Sequence, residues 1–305
     1  MTKQTENYWY LASYPKSGNT WCRIFIAELQ RLASGKHTGE INLNKDINTG
    51  TINSSRHWLC DQLGVNTCDL SYAELDSLRG QAGETDLLYS GGFRYHKVHD
   101  AFISPDSKNR PVVCTKNCKG AIYISRHPED IAVSISHFYK WGLEQCVASL
   151  FNPNAALVEN NTGCVPQVRQ HLGRWDQHVN SWLDQSQIPV LAIRYEDMLN
   201  KSQETFTQIA EFLGLDHTTD LISQAIKNTS IRKLRNLEEK TIGGFAEKPT
   251  SCDYFFRSGR SGEGAEQLSF EQRQRLFNSL KQGMTRMGYE GPGSIPSTNN
   301  QPQSL

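Results

Sequence analysis

Four stretches of this 305-residue chain gather side chains suited to anion binding and proton transfer. The first is Tyr14-Pro-Lys-Ser-Gly-Asn-Thr-Trp21. Backbone N–H groups at a helix start, reinforced by Lys16, make a site for phosphate or sulfate. Gly18 lets the backbone approach such a ligand closely. A Walker A loop reads G-x-x-x-x-G-K-[ST]. Here one glycine follows the lysine, so no hydroxyl is placed for Mg²⁺ as in an ATPase. An ordinary strand-to-helix turn is the competing reading. The second stretch, Ser125-Arg-His-Pro-Glu-Asp-Ile-Ala-Val-Ser134, sets Arg126 at a strand end as a forked phosphate donor. Ser134 adds a hydroxyl about two turns into the next helix; the plainer alternative is a surface arginine and a helix-face serine. The third, Phe255-Phe-Arg-Ser-Gly-Arg-Ser-Gly-Glu-Gly264, is rich in Gly, Ser and Arg and by itself reads as a flexible loop. The fourth is Tyr95-His-Lys-Val-His-Asp100. In a strand, Lys97 and His99 share one face and His96 takes the other. An unperturbed imidazole titrates near about 6.5, so His99 can accept a proton at neutral pH.

The elements that must hold these residues are legible from apolar spacing. Tyr8 to Ser13, Arg94 to His99, Gly120 to Arg126 and Pro189 to Arg194 read as strands. Trp21, Ile24, Phe25, Leu29 and Leu32 follow helical spacing, with Gly35 at the C-terminal end. Pro128 stands in the first turn of a helix, with Glu129 and Asp130 beside it. Further helices run from Gly173 to Asp184 and through Phe206, Ile209, Ala210 and Leu213 to Gly214. Alternating strands and helices predict an α/β fold with a central parallel sheet flanked by helices. Ligands of such sheets sit at the carboxyl ends of the strands. Residues 36–57 are polar, without periodicity, and read as a long surface loop.

With these parts in order, the sequence resembles the cytosolic-type sulfotransferases, which use 3′-phosphoadenosine 5′-phosphosulfate (PAPS). The resemblance covers residues 8 to about 280. Tyr14–Trp21 is similar to the family's Y-P-K-S-G-T-T-W loop, with Asn19 for Thr. The match implies that Lys16, Ser17, Gly18, Asn19 and Thr20 hold the 5′-phosphosulfate and that Trp21 stacks on adenine. Arg126 and Ser134 match the pair that holds the 3′-phosphate. Arg257, Ser258 and Gly259 fall on the family's R-K-G, a second 3′-phosphate clamp, with Ser258 for Lys. Glu263 and Gly264 replace the Asp-Trp that follows in the family, and Arg260 is a candidate to restore the lost charge. Thr229-Ser230-Ile231 matches T-S-F, and Tyr195 in Arg194-Tyr-Glu-Asp-Met198 matches an adenine-side tyrosine. Tyr95–Asp100 resembles the K-T-H segment. That implies His99 as general base, Lys97 and Lys16 as stabilisers of the transferring group, and Ser134 as a partner that restrains Lys16. The Gly173–Trp182 helix is expected to wall the acceptor side. The Lys-Val-His-Asp and Gly-Glu-Gly variants look more like bacterial members than animal ones. The implied architecture is a P-loop nucleotide-hydrolase-like single domain over 8–288, with flexible termini at 1–7 and 291–305.

The implied reaction is sulfuryl transfer from PAPS to a hydroxyl or amine of a small-molecule acceptor, with no metal. A P-loop nucleotide kinase and a non-catalytic nucleotide-binding module are the alternatives. The missing Walker A argues against the first, and the joint presence of Lys97 and His99 against the second. Thirty-two basic residues balance 32 acidic ones, which argues against a general nucleic-acid binder. No apolar run approaches the roughly 20 residues of a membrane span, so a cytoplasmic location is expected. A homodimer is implied by the resemblance, although no dimer motif is evident. The eight cysteines contain no C-x-x-C pair and are expected to be free thiols.

Overall fold

The computed structural model describes residues 8–35, 39–47, 50–84, 93–116, 118–159 and 165–292. The termini expected to be flexible lie outside these, apart from residues 291 and 292. In chain order the elements are β1 (Tyr8–Ser13), α1 (Asn19–Ala33), β2 (Thr51–Ile52), α2 (Arg56–Leu63), α3 (Tyr72–Arg79), β3 (Tyr95–Val98) and β4 (Cys118–Ser125). There follow α4 (Pro128–Tyr139), α5 (Leu143–Ser149), β5 (Ala156–Leu157), β6 (Gln170–His171), α6 (Trp175–Leu183), β7 (Val190–Arg194), α7 (Tyr195–Asn200) and α8 (Ser202–Leu213). The chain closes with α9 (Thr219–Asn228), α10 (Ile231–Lys240), α11 (Glu263–Gln267) and α12 (Phe270–Arg286).

The expected α/β architecture is present: a central parallel sheet of five strands, flanked by helices, in the order β2-β3-β1-β4-β7. The register pairs Trp9 with Tyr95 and Leu11 with Lys97. All six residues of β1 are buried, as a central strand covered on both faces requires. The chain divides into two compact units. The first comprises residues up to Tyr14, Gly50–Tyr123 and Phe151–Ala192; the second comprises Pro15–Thr49, Ile124–Leu150 and Ile193–Leu305.

The first unit holds most of the sheet with α2, α3 and α6. Leu59, Leu75, Ala82 and Val168 form one of its apolar clusters. Helix α3 starts at a capping box: the Glu74 N–H donates to Ser71 Oγ, and the Ser71 N–H donates to Glu74. In the second unit, α1 packs Ile24 and Ala27 against Leu234, Phe245 and Phe256.

Two expectations need correction. The stretch 36–57 is not a free surface loop. Ile41, Leu43 and Ile47 are buried in that second-unit cluster, Thr51–Ile52 pairs with β3, and α2 begins at Arg56. Widely spaced apolar residues anchored in a core leave no period to read. The cysteines are not all free: Cys22, Cys60, Cys114, Cys118, Cys146 and Cys252 are thiols, whereas Cys68 is disulfide-bonded. Cys164 lies outside the described residues.

Candidate active site

The second unit brings together every residue expected to bind a nucleotide. The turn between β1 and α1 bends through two left-handed positions, Lys16 at φ 69° and Gly18 at φ 101°. Such a turn points successive N–H groups inward as an anion nest. Gly18, which caps α1, has no side chain to bond the helix's first N–H groups. Gly18 is required twice over. Its φ favours glycine, and a Cβ there would lie 2.6 Å from Cδ2 of Tyr195. Ser17 is fully buried and its hydroxyl has no hydrogen-bond partner. Asn19 is buried beside it, and the Thr20 hydroxyl donates to Glu247 at 3.1 Å. The Lys16 ammonium lies 3.5 Å from the centre of the Phe138 ring and 4.9 Å from that of Phe255. These aromatic contacts of Lys16 were not foreseen. Their signal is positional, because Phe138 follows Ser134 by one helical turn.

Arg126 links three parts of this unit. Its guanidinium donates to the carbonyls of Lys16 (3.3 Å) and Arg260 (2.9 Å) and lies 4.4 Å from the centre of the Tyr195 ring. Its Nε is buried without a partner. Trp21 meets Tyr195 and Phe206 edge-on, at 5.9 and 5.3 Å, and its Nε1 also lacks a partner. Buried donors left unpaired are costly and call for an explanation. Thr229 is fully buried with its hydroxyl on the Ala225 carbonyl, which leaves Ser230 and Ile231 as the partly exposed members of that trio. Ile231 packs against Gly259, where a Cβ would sit 2.6 Å from its side chain.

The clamp segment folds around two carboxylates. Glu263, 1 % exposed, accepts from Arg257 (2.6 Å) and Ser258 (2.8 Å), with Arg260 at 3.4 Å and Arg126 at 4.0 Å. Burial opposes its ionisation. The Arg257 and Ser258 bonds outweigh that and hold its pKa below the ordinary glutamate value. Asp130, one turn past Arg126, accepts the N–H groups of Gly262 (2.9 Å) and Gly264 (2.8 Å). A Cβ on Gly264 would lie 2.7 Å from the Glu129 backbone carbon, so no tryptophan fits where the family pattern has one. Neither carboxylate stands out in the sequence, where Glu263 is a departure from the family pattern and Asp130 one of two acids in the first turn of a helix.

The first unit carries Lys97 and His99. The His99 Nδ1 lies 2.9 Å from the Ser13 carbonyl and 3.2 Å from the Ser13 hydroxyl. A carbonyl only accepts, so Nδ1 carries a proton, which in the neutral ring leaves the lone pair on Nε2, the tautomer a base requires. His96 lies on the opposite face of β3, 1 % exposed, among the rings of Tyr8, Tyr10 and Trp58. Burial lowers its pKa to about 3, so it is a neutral core residue. The α6 helix, expected to wall the acceptor side, carries three of its rings inside the protein. Trp175, His178 and Trp182 are all fully buried. His178 donates from Nε2 to the His99 carbonyl (3.0 Å) and accepts from the Tyr123 hydroxyl (2.9 Å). Trp182 donates to the Asp100 carbonyl (3.0 Å). The helix therefore fixes the backbone beside His99. Asp100 completes the mount: its carboxylate takes both Arg79 Nη atoms, at 2.8 and 2.7 Å, and the His171 N–H at 3.0 Å.

Among the described residues no helix is long and apolar enough to cross a membrane, and no group of three His, Cys, Asp or Glu is arranged to hold a metal ion.

Comparison with known proteins follows the same outline. A family model described as "Sulfotransferase domain" matches residues 8–288. Sulfotransferase 1E1 of Bos taurus is 34% identical over 125 residues, 40% of this chain and 39% of its own length. Flavonol 3-sulfotransferase of Flaveria bidentis is 28% identical over 267 residues, 83% of this chain and 74% of its own. The chain thus spans well under half of the bovine relative. Among solved structures, mouse sulfotransferase SULT7A1 complexed with PAP superposes with a TM-score of 0.56 at 21% identity, covering 93% of this chain and 85% of that one. Retinol dehydratase in complex with androsterone and inactive cofactor PAP gives 0.58 at 18% identity, covering 94% and 83%.

Proposed function

Since this chain belongs to the sulfotransferase-domain family, matched across residues 8–288, we propose that it is a PAPS-dependent sulfotransferase acting on a hydroxyl or amine of a small molecule in the cytoplasm. Residues 8–288 are its functional domain, and a homodimer is the assembly we expect. One observation carries the reading. Three buried polar atoms without partners, Ser17 Oγ, Trp21 Nε1 and Arg126 Nε, all belong to the segments the family uses for this co-substrate. The residues present fit PAPS: the Lys16–Thr20 nest suits the 5′-phosphosulfate, Arg126, Ser134 and Arg257 suit the 3′-phosphate, and Trp21 and Tyr195 suit adenine.

In the proposed reaction, His99 Nε2 takes the acceptor proton while the acceptor oxygen or nitrogen bonds to sulfur. The bond from sulfur to the bridging oxygen breaks, and its electron pair stays on the 5′-phosphate of the product, adenosine 3′,5′-bisphosphate (PAP). Lys16 stabilises the charge on that oxygen, and Lys97 stabilises the transferring sulfuryl group. Ser134 restrains Lys16 until the acceptor binds. Positioning and electrostatics supply the rate, as in phosphoryl transfer.

Thermal unfolding with PAP, and with ADP as control, tests the reading, because binding to native protein raises its stability by mass action. A rise with PAP well above that with ADP is expected. A larger rise with ADP, or with ATP and Mg²⁺, would replace it with the kinase reading.

A further inference from the structure

The 3′-phosphate clamp of this chain lacks one cation. Ser258 stands where the family pattern has lysine, and its hydroxyl donates to Glu263. Arg260, the candidate replacement, is more than half exposed and turns its guanidinium to Glu266 (3.1 Å) and Glu263 (3.4 Å). The geometry of α4 offers another. Asp130, Ser134 and His137 follow at steps of four and three, so they form one stripe of the helix. Asp130 binds the clamp segment at Gly262 and Gly264, which fixes the direction in which that stripe faces. At its far end stands His137, whose surroundings include Gln267, the last residue of α11. The charged groups acting on His137 are Arg257, Glu263 at the start of α11, and Lys140 just past its own helix. Two of these three belong to the clamp segment.

We infer that His137 is a ligand of the nucleotide's 3′-phosphate, which it grips as a protonated imidazolium together with Arg126, Ser134 and Arg257. The inference rests on the PAPS reading and adds a residue to it. Without a ligand, burial and then the positive Arg257 hold the His137 pKa below the ordinary histidine value, so the ring is mostly neutral at pH 7. A phosphate monoester brings about 1.5 to 2 negative charges and reverses that balance. Binding therefore takes up a proton at His137, and its contribution to affinity is present at low pH and fades as pH rises.

The test is PAP affinity of the wild type and of His137→Gln at pH 6 and pH 8, by calorimetry, with ADP as the nucleotide lacking a 3′-phosphate. His137→Gln should weaken PAP roughly tenfold at pH 6, the worth of one charge-assisted hydrogen bond. It should change PAP little at pH 8 and ADP at neither pH. The 3′-phosphate's own titration is common to both proteins and cancels in the comparison. His137→Lys should restore tight PAP binding at both pH values. Equal PAP affinity of wild type and His137→Gln at pH 6, or equal weakening of PAP and ADP, overturns the inference while the PAPS reading stands. A wild type that does not prefer PAP to ADP overturns the PAPS reading itself. His137 is partly exposed near the helix end; His137→Asn serves as the second variant if the glutamine form does not fold.

Discussion

The Arg79–Asp100 pair beside the candidate base makes a quantitative prediction. Both side chains are 0% exposed and joined by two parallel hydrogen bonds. Arg79→Met would leave the Asp100 carboxylate buried with one described donor remaining, the His171 N–H. Breaking a buried pair in this way costs about 3–5 kcal/mol. At an unfolding entropy of roughly 2.1 cal/mol/K per residue, a chain of 305 residues should melt about 5–8 °C lower. Removing both charges, with Arg79→Met and Asp100→Leu together, is different. Apolar replacement of a whole pair is close to neutral; the loss of Arg79 from the buried Asp76, 3.4 Å away, is common to the single and double variants, and the unpaired His171 N–H adds about 1–3 kcal/mol. The double variant should therefore melt above the Arg79→Met single variant. Thermal unfolding of the wild type, both single variants and the double variant closes the cycle. Because Asp100 follows His99 directly, kcat should fall in the single variants while PAP affinity holds. A double variant that melts lower, by the sum of the two single losses, would show that the charges are not coupled and refute the reasoning.

Two further outcomes are expected. His99→Ala should nearly abolish turnover and leave PAP affinity near that of wild type; a large affinity loss would make His99 a structural residue. The fully buried imidazoles of His96 and His178 have pKa values lowered, chiefly by burial, to about 3 and about 4. The native state therefore binds fewer protons than the unfolded chain below about pH 6.5. Stability should fall as pH drops from 6.5 toward 4, by up to about 2.7 kcal/mol per pH unit for two protons. A urea midpoint that stays flat across that range would contradict the neutral buried assignment.

The sequence by itself carried what is local. The phosphate turn, the strand ends bearing Arg126 and Arg194, and the alternation that separates His96 from His99 all depend on residues a few positions apart. The apolar period, a proline in a first turn and a glycine after a helix fix such features within one segment. Composition and motif order carried the fold class for the same reason. Tertiary structure decided what depends on residues far apart in the chain. Glu263 becomes the centre of three arginines and a serine hydroxyl, and Gly264 must stay small because Glu129 lies against it. Residues 41–47, irregular by any period, turn out to be anchored in a core. The tryptophans of α6 are core residues, and Trp182 holds the Asp100 carbonyl next to His99. Asp100 reads as one acid after a histidine until Arg79, 21 residues earlier, closes on it. In each case an interior that tolerates neither an unpaired charge nor an overlapping atom fixes the outcome, and only the folded chain shows which groups share that interior.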